Sequence, residues 1–296
     1  MASFAPVVLF VYNRPQHTQQ TLEALAQNTL FKDTILYVYA DGAKENATDD
    51  EQHKIAAVRS IIHSIKGCKA VHTILREKNY GLAANVIDGV TNIVNQHGSV
   101  IVLEDDLLTS PYFLQYCNDG LNTYREVANV YAINAYQFPL GIEEVDTFLC
   151  PLGTSSWGWA TWANKWQAFE ENPSHKMVIQ NSTHLSRRFN LADFDYSTML
   201  DNPKSWAIRW YYSVFVRGGL GLFPTQSLVK NIGLDGSGEN CGNDDIQQQV
   251  HQQPMTIKKK EVINLLYYHL FLEYFSKPST HHSPSLLKKL INRFRR

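Results

Sequence analysis

The sequence predicts an α/β protein built on a mostly parallel sheet, and three observations lead there. Short unbroken apolar runs alternate with amphipathic stretches through the first half of the chain. Those runs stop at polar residues that end or turn a strand. The fourth run, Val100-Ile101-Val102-Leu103, stops at three adjacent acids, Glu104-Asp105-Asp106. Strands buried on both faces read as continuous apolar runs, and strands alternating with helices indicate βαβ units.

The elements follow in order. Val7 to Tyr12 is a strand stopped by Asn13-Arg14-Pro15, and Thr18 to Asn28 has helical spacing in Leu22, Leu25 and Ala26. Ile35 to Ala40 is a second strand ending at Asp41-Gly42. Asp49 to Lys66 carries Ile55, Val58, Ile61, Ile62 and Ile65 on one stripe, the mark of an amphipathic helix. Ala70 to Leu75 is a third strand, Leu82 to Gln96 a third helix and Val100 to Leu103 the fourth strand. Right-handed crossovers make this a Rossmann-like layer. Neither GxGxxG nor a P-loop follows the first strand, so a bound nucleotide is held by other means. A helix over Tyr112 to Glu126 follows Ser110-Pro111.

From about residue 129 the pattern changes to shorter strands and crowded aromatics. All six tryptophans lie between residues 157 and 210, in Trp157-Gly158-Trp159-Ala160-Thr161-Trp162, Trp166 and Trp206-Ala207-Ile208-Arg209-Trp210. There is no internal repeat, and 276–285, rich in Ser, Pro, Thr and His, reads as a linker.

With 296 residues and 44% apolar content, the chain can bury a sizeable core. A net charge of −1 argues against nucleic acid as a partner. That near-neutrality hides an asymmetry: residues 286–296 carry +5 and leave −6 on the rest. Cys68, Cys117, Cys150 and Cys241 are widely spaced with no CxxC pair, which argues against a zinc ribbon or a disulfide framework. A reducing compartment is the simpler reading. The first apolar run has no basic stretch before it and is too short for a signal peptide or a membrane span, so a cytoplasmic location is expected.

Three adjacent carboxylates repel one another unless a cation sits among them. In open α/β sheets, ligands bind beyond the carboxyl ends of strands. The acidic run therefore delivers hard oxygen ligands, suited to Mg²⁺ or Mn²⁺, to a site position. A solvated acidic turn is the bland alternative. Asn13, Arg14, Asp41, Arg76 and Asn79 follow other predicted strands and should share that rim. Asp41 suits hydrogen bonds to a base or ribose, or an ordinary turn. Arg14 suits a diphosphate, or plain surface decoration. Arg76 and Asn79 either add to the site or belong to a solvated loop. The tryptophans read either as core or as a platform for sugar rings.

In chain order these motifs are joined by Asn79-Tyr80-Gly81-Leu82, Ser205 ahead of Trp206, and Asn231-Ile232-Gly233-Leu234-Asp235-Gly236-Ser237-Gly238. Together they resemble bacterial GT-A-fold glycosyltransferases usually grouped with family 2. The acidic motif is similar to that of the eukaryotic N-acetylglucosaminyltransferase I group. The resemblance covers roughly residues 5–245.

It implies a nucleotide-diphosphate-sugar donor, with a UDP-sugar expected, on a half-sheet of about 1–128, and an acceptor half of about 129–250. Asp106 then binds the metal, while Glu104 and Asp105 face the sugar, the ribose or the metal's waters. Asp41 reads the base, and Asn13, Arg14, Arg76 and Asn79 complete the donor side. Trp157, Trp159 and Trp206 hold sugar. An inverting transfer also needs a base for the acceptor hydroxyl. Lys204 stands where relatives place the acid, which leaves Asp201 first, then Asp195, then Glu170. Asp235 or Asn240 stands where relatives often carry a late histidine near the metal.

Residues 251–296 form a C-terminal helical extension. Its end places Leu286, Leu287, Leu290, Ile291 and Phe294 on one face flanked by Lys and Arg, which suits an anionic membrane surface. The stretch Val262 to Phe275 is too short and polar to span a bilayer. The sequence thus predicts a peripheral, metal-dependent glycosyltransferase acting on a saccharide or lipid-linked acceptor in bacterial surface polysaccharide or lipopolysaccharide assembly. The alternatives are a nucleotidyltransferase and a catalytically silent sugar-binding scaffold protein.

Overall fold

The computed structural model describes residues 4–235 and 249–276. Three βα steps and a fourth strand open the chain: β1 (Val7–Val11), α1 (Pro15–Ala26), β2 (Ile35–Ala40), α2 (Asp49–His63), β3 (Ala70–Leu75), α3 (Leu82–His97) and β4 (Ser99–Glu104). Local chemistry sets their limits. Pro15 starts α1, where its missing N–H costs nothing. Thr48 and Glu51 form a reciprocal capping box on α2. Gly98, at φ 81°, closes α3 in the left-handed conformation that favours glycine.

The second half is less regular. It holds β5 (Leu107–Thr109), α4 (Phe113–Tyr124), β6 (Val130–Asn134), β7 (Thr147–Cys150) and β8 (Trp159–Trp162). Short helices α5 (Ala163–Trp166), α6 (Lys176–Asn181) and α7 (Thr183–Phe189) precede α8 (Trp206–Phe215). Then come β9 (Leu220–Pro224), β10 (Val229–Asn231) and α9 (Leu265–Phe275).

Eight strands form one sheet in the order β3-β2-β1-β4-β8-β6-β9-β7. The pairs β3/β2, β2/β1 and β1/β4 are parallel. Beyond β4 the directions mix: β8 runs antiparallel to β4 and β6, β9 parallel to β6, and β7 antiparallel to β9. The fold class is therefore the α/β one expected: a parallel Rossmann-like half-sheet fused to a mixed half, with a C-terminal helix. The expectation of a mostly parallel sheet holds for the first half only. The chain winds outward from β1 through β2 to β3, then returns to the other side of β1 as β4. That reversal is the topological switch point where ligands bind in open α/β sheets.

Side chains alternate across the sheet. Val7, Leu9 and Val11 pack with Leu25, Val58, Ile62 and Leu121 from α1, α2 and α4. Val8 and Phe10 pack on the other face with Val86, Val90 and Ile93 of α3 and with Trp159, Trp166, Trp206 and Trp210. A third apolar cluster joins Phe189, Phe223, Tyr267 and Phe271, which docks α9. Cys68, Cys117 and Cys150 are free thiols, and burial pushes all three up in pKa. Among the described residues no helix is long and apolar enough to cross a membrane.

Candidate active site

At the carboxyl ends of β1, β2 and β4 lies a cleft of about 280 Å³. Its walls include Tyr12, Asn13 and Arg14 after β1, Asp41 and Lys44 after β2, and Glu104 and Asp105 at the end of β4. Asn79, Gly81, Leu82 and Asn85 close it from the α3 side. Asn13, Arg14, Asp41, Asn79, Glu104 and Asp105 were expected at this rim, and the fold brings them together. The sequence reading missed Tyr12, Lys44 and Asn85. Lys44, three residues past Asp41, was the legible signal, and its ammonium lies 6.0 Å from the Tyr12 ring centre.

The cation among the acids is a protein group. Arg14 Nη2 donates to Asp105 Oδ1 and, at 2.9 Å, to Asp106 Oδ2. Burial opposes its charge, yet the two aspartates hold the guanidinium protonated even above its usual range. Among the described residues, Arg14 Nη1 is buried with no hydrogen-bond partner. β5, pairing with β10, folds the chain back so that Ile232 N donates to the Asp106 carbonyl at 2.8 Å. Gly233 then presses on the acids: a Cβ there would stand 2.2 Å from Asp106 Oδ2 and 2.9 Å from Arg14 Nη1. His17 Nε2 stands 3.3 Å from Asp235 Oδ2 on the same side.

The acids titrate apart from ordinary carboxylates. Burial pushes Glu104 up to about 8, with Asp106 and Asp105 adding repulsion and Arg14 and the Trp206 indole opposing it. Burial likewise raises Asp105 to about 6, against the pull of Arg14.

Several expected roles change. Asp41 does not have lone pairs to spare for a base. Its Oδ1 accepts from Gly42 N at 2.9 Å and Tyr80 N at 2.8 Å, and its Oδ2 from Gly81 N at 3.0 Å and Asn79 Nδ2 at 3.2 Å. A carboxylate offers about four acceptor sites, so this one is engaged in holding the β3–α3 loop. Asn79 serves the same loop, also donating to the Gly42 carbonyl at 2.8 Å. Gly42 is required there, because a Cβ would meet the Lys78 backbone at 2.4 Å. Arg76 pairs with Asp88 and donates to Asn85 Oδ1 at 3.2 Å, stacked 4.3 Å from the Tyr80 ring. It is committed to α3 and does not line the cleft.

The tryptophans correct the sugar-platform expectation. Trp159 and Trp206 are buried and stack on each other with ring centres 5.5 Å apart. Their faces are covered by core, because α8 packs over β8 and α3. Trp157 is part-buried and meets Tyr136 edge-on at 4.5 Å. Trp206 does reach the site from inside, where its indole works against the rise in the Glu104 pKa.

The base candidates also lie elsewhere. Asp201 is exposed and held by Gln180 Nε2 at 2.8 Å and Lys176 Nζ at 3.2 Å, which lower its pKa. Asp195 accepts from Ser197 Oγ at 2.7 Å, the main cause of its lowered pKa. Glu170 pairs with Arg217 at 3.0 Å. None of the three lines the cleft, and a depressed pKa makes Asp201 and Asp195 weak proton acceptors. Asn240 and the motif residues Gly236-Ser237-Gly238 lie outside the described residues.

No family model matches the chain, and no curated protein sequence matches it. Solved structures resemble it in part. The mannosyltransferase PcManGT from Pyrobaculum calidifontis, in complex with GDP-Man and Mn²⁺, is 14% identical over 54% of this chain and 45% of its own, with a TM-score of 0.36. S. aureus TarS 1–349 is 10% identical over 76% and 59%, with a TM-score of 0.41. Mouse xyloside xylosyltransferase 1 is 7% identical over 72% and 81%, with a TM-score of 0.37. The chain thus spans about half the length of the first two. Likenesses of this size identify neither a substrate nor a reaction.

Proposed function

We propose that the protein is a glycosyltransferase of GT-A type, moving a sugar from a UDP-sugar to a saccharide or lipid-linked saccharide acceptor with inversion. The observation that carries this reading is the placement of Arg14, Glu104, Asp105 and Asp106 at the β1/β4 switch point, beside a cleft lined by Tyr12, Asn13 and Lys44. Donor contacts belong to residues 1–128 and acceptor contacts to about 129–250. The cleft offers Tyr12 and Leu82 as apolar walls for a base, and Lys44 and Arg14 as cations for a diphosphate.

The donor set fits a divalent ion in one particular way. Among the described residues no three His, Cys, Asp or Glu side chains form a metal cage. Mg²⁺ and Mn²⁺ are commonly held by one or two carboxylates and completed by substrate phosphates. Asp106, with Asp105 beside it, suits that arrangement. They would hold the ion, and the chemistry it would supply there is neutralisation of charge on a departing nucleoside diphosphate. Glu104, buffered by Trp206, faces the cleft where the donor sugar is expected and can hydrogen-bond its hydroxyls.

A contact with an anionic membrane belongs to the same proposal. The basic amphipathic end at 286–296 lies outside the described residues. Upstream, exposed Lys258 and Lys259 sit beside Val262 and Leu265, which are 78% and 73% exposed. Bacterial surface polysaccharide or lipopolysaccharide assembly is the pathway this suits.

The direct test is a panel of nucleotide sugars with Mn²⁺, read as slow hydrolytic release of the nucleoside diphosphate. Release of pyrophosphate from a nucleoside triphosphate would instead identify a nucleotidyltransferase. Binding of a donor or saccharide with no turnover would identify a silent scaffold.

A further inference from the structure

Arg14 and a metal ion would compete for one oxygen. Arg14 Nη2 already donates to Asp106 Oδ2 at 2.9 Å and bridges to Asp105. A divalent ion sits about 2.1 Å from a carboxylate oxygen. Placed on Asp106 Oδ2, it would stand against the guanidinium charge in a pocket where both aspartates are buried. Screening there is weak, so the two cations exclude each other. Gly233 leaves no slack on the far side, since its missing Cβ would already touch Asp106 and Arg14. The guanidinium also has something to gain elsewhere: its Nη1 is buried and, among the described residues, has no partner. Arg14 lines the cleft assigned to the donor diphosphate, and an arginine fork matches phosphate oxygens well.

We infer that Arg14 is a counter-ion lock on the metal site. It neutralises Asp105 and Asp106 while the cleft is empty and so holds metal affinity low. The metal and the diphosphate displace it together, and the released guanidinium turns to the phosphate. Metal and nucleotide therefore bind synergistically, and the free protein does not retain a loosely coordinated ion. This inference rests on Asp106 being the metal ligand, as proposed above.

The experiment is Mn²⁺ binding to the full chain, followed by electron paramagnetic resonance, without nucleotide and then with UDP. Without nucleotide, Arg14→Met should bind Mn²⁺ at least tenfold more tightly than the wild type. Arg14→Lys, which keeps the charge but not the fork, should fall between them and guards against misfolding of the first variant. Adding Asp106→Asn to Arg14→Met should abolish the gain. UDP should tighten Mn²⁺ binding to the wild type by a larger factor than to Arg14→Met. Equal or weaker Mn²⁺ binding by both Arg14 variants overturns the lock and leaves the metal reading standing. Absence of Mn²⁺ binding in every protein, with or without UDP, overturns both.

Discussion

Burial and Arg14 pull the carboxylates of the cleft in opposite directions, and pH titrations should show burial prevailing. Glu104 and Asp105 have folded pKa values above their ordinary values, near 8 and 6, because burial disfavours their charged forms. A raised acid pKa means that the native state binds protons more readily than the unfolded chain does. Its contribution to stability is full below about pH 4 and is lost as pH rises through the folded values. Thermal melts of the metal-free protein should therefore show a falling Tm between about pH 5 and 8, and Glu104→Gln should flatten most of that fall. A melt whose midpoint rises across this range would contradict the burial account. Asp41 makes a second prediction at this scale. Truncating it to Ala strands the Tyr80 and Gly81 amide donors, which should cost about 3 kcal/mol in denaturant unfolding. If Asp41 instead served only to read the base, the loss would appear in donor affinity with stability unchanged. Its rim position was legible in the sequence, since Asp41 ends an apolar run. Its role was not, because the four donors that fill it include three from a loop about forty residues downstream.

At the scale of elements, β1 to β4 and their helices were legible because each is a local pattern: an apolar run buried on both faces, then an amphipathic stripe. The strands beyond β4 were less so. They are as short as three or four residues, and their directions follow from pairings with distant strands. The tryptophans show the same limit. Crowding of aromatics is visible in sequence, but whether a ring is open depends on what covers it. For Trp159 the cover is α8, more than forty residues later, carrying Trp206 and Trp210. Trp159→Ala should therefore cost about 4 kcal/mol of folding stability, as large core truncations do. Trp159→Phe should keep most of the donor hydrolysis seen in wild type. Loss of activity in Trp159→Phe with stability retained would restore the sugar-platform reading. The base candidates failed for a related reason. With Lys204 at the expected register before α8, Asp201 was the first acid left, but it is exposed and held by Lys176 and Gln180 of α6.

Among the described residues, an eight-stranded sheet reverses its winding between β1 and β4, and β5 and β10 pair beside it. Arg14, Glu104, Asp105 and Asp106 lie at that reversal, Lys44 joins the same cleft from the end of β2, and α8 reaches Glu104 from behind through Trp206. The described chain ends just past α9, with exposed apolar and basic residues before that helix. Deleting 284–296 should reduce sedimentation with anionic liposomes and leave the melting temperature unchanged. Equal sedimentation by the shortened chain would remove the membrane from the account.

In the proposed sugar transfer, the acids after β4 hold the leaving group. The most direct measurement is nucleoside diphosphate release from a panel of nucleotide sugars with Mn²⁺, comparing wild type with Asp106→Ala. Release is expected from at least one UDP-sugar, with a fall of about a hundredfold or more in the variant, the scale of losing one transition-state charge contact. Release at equal rates by the two proteins, or from no nucleotide sugar at all, would contradict it.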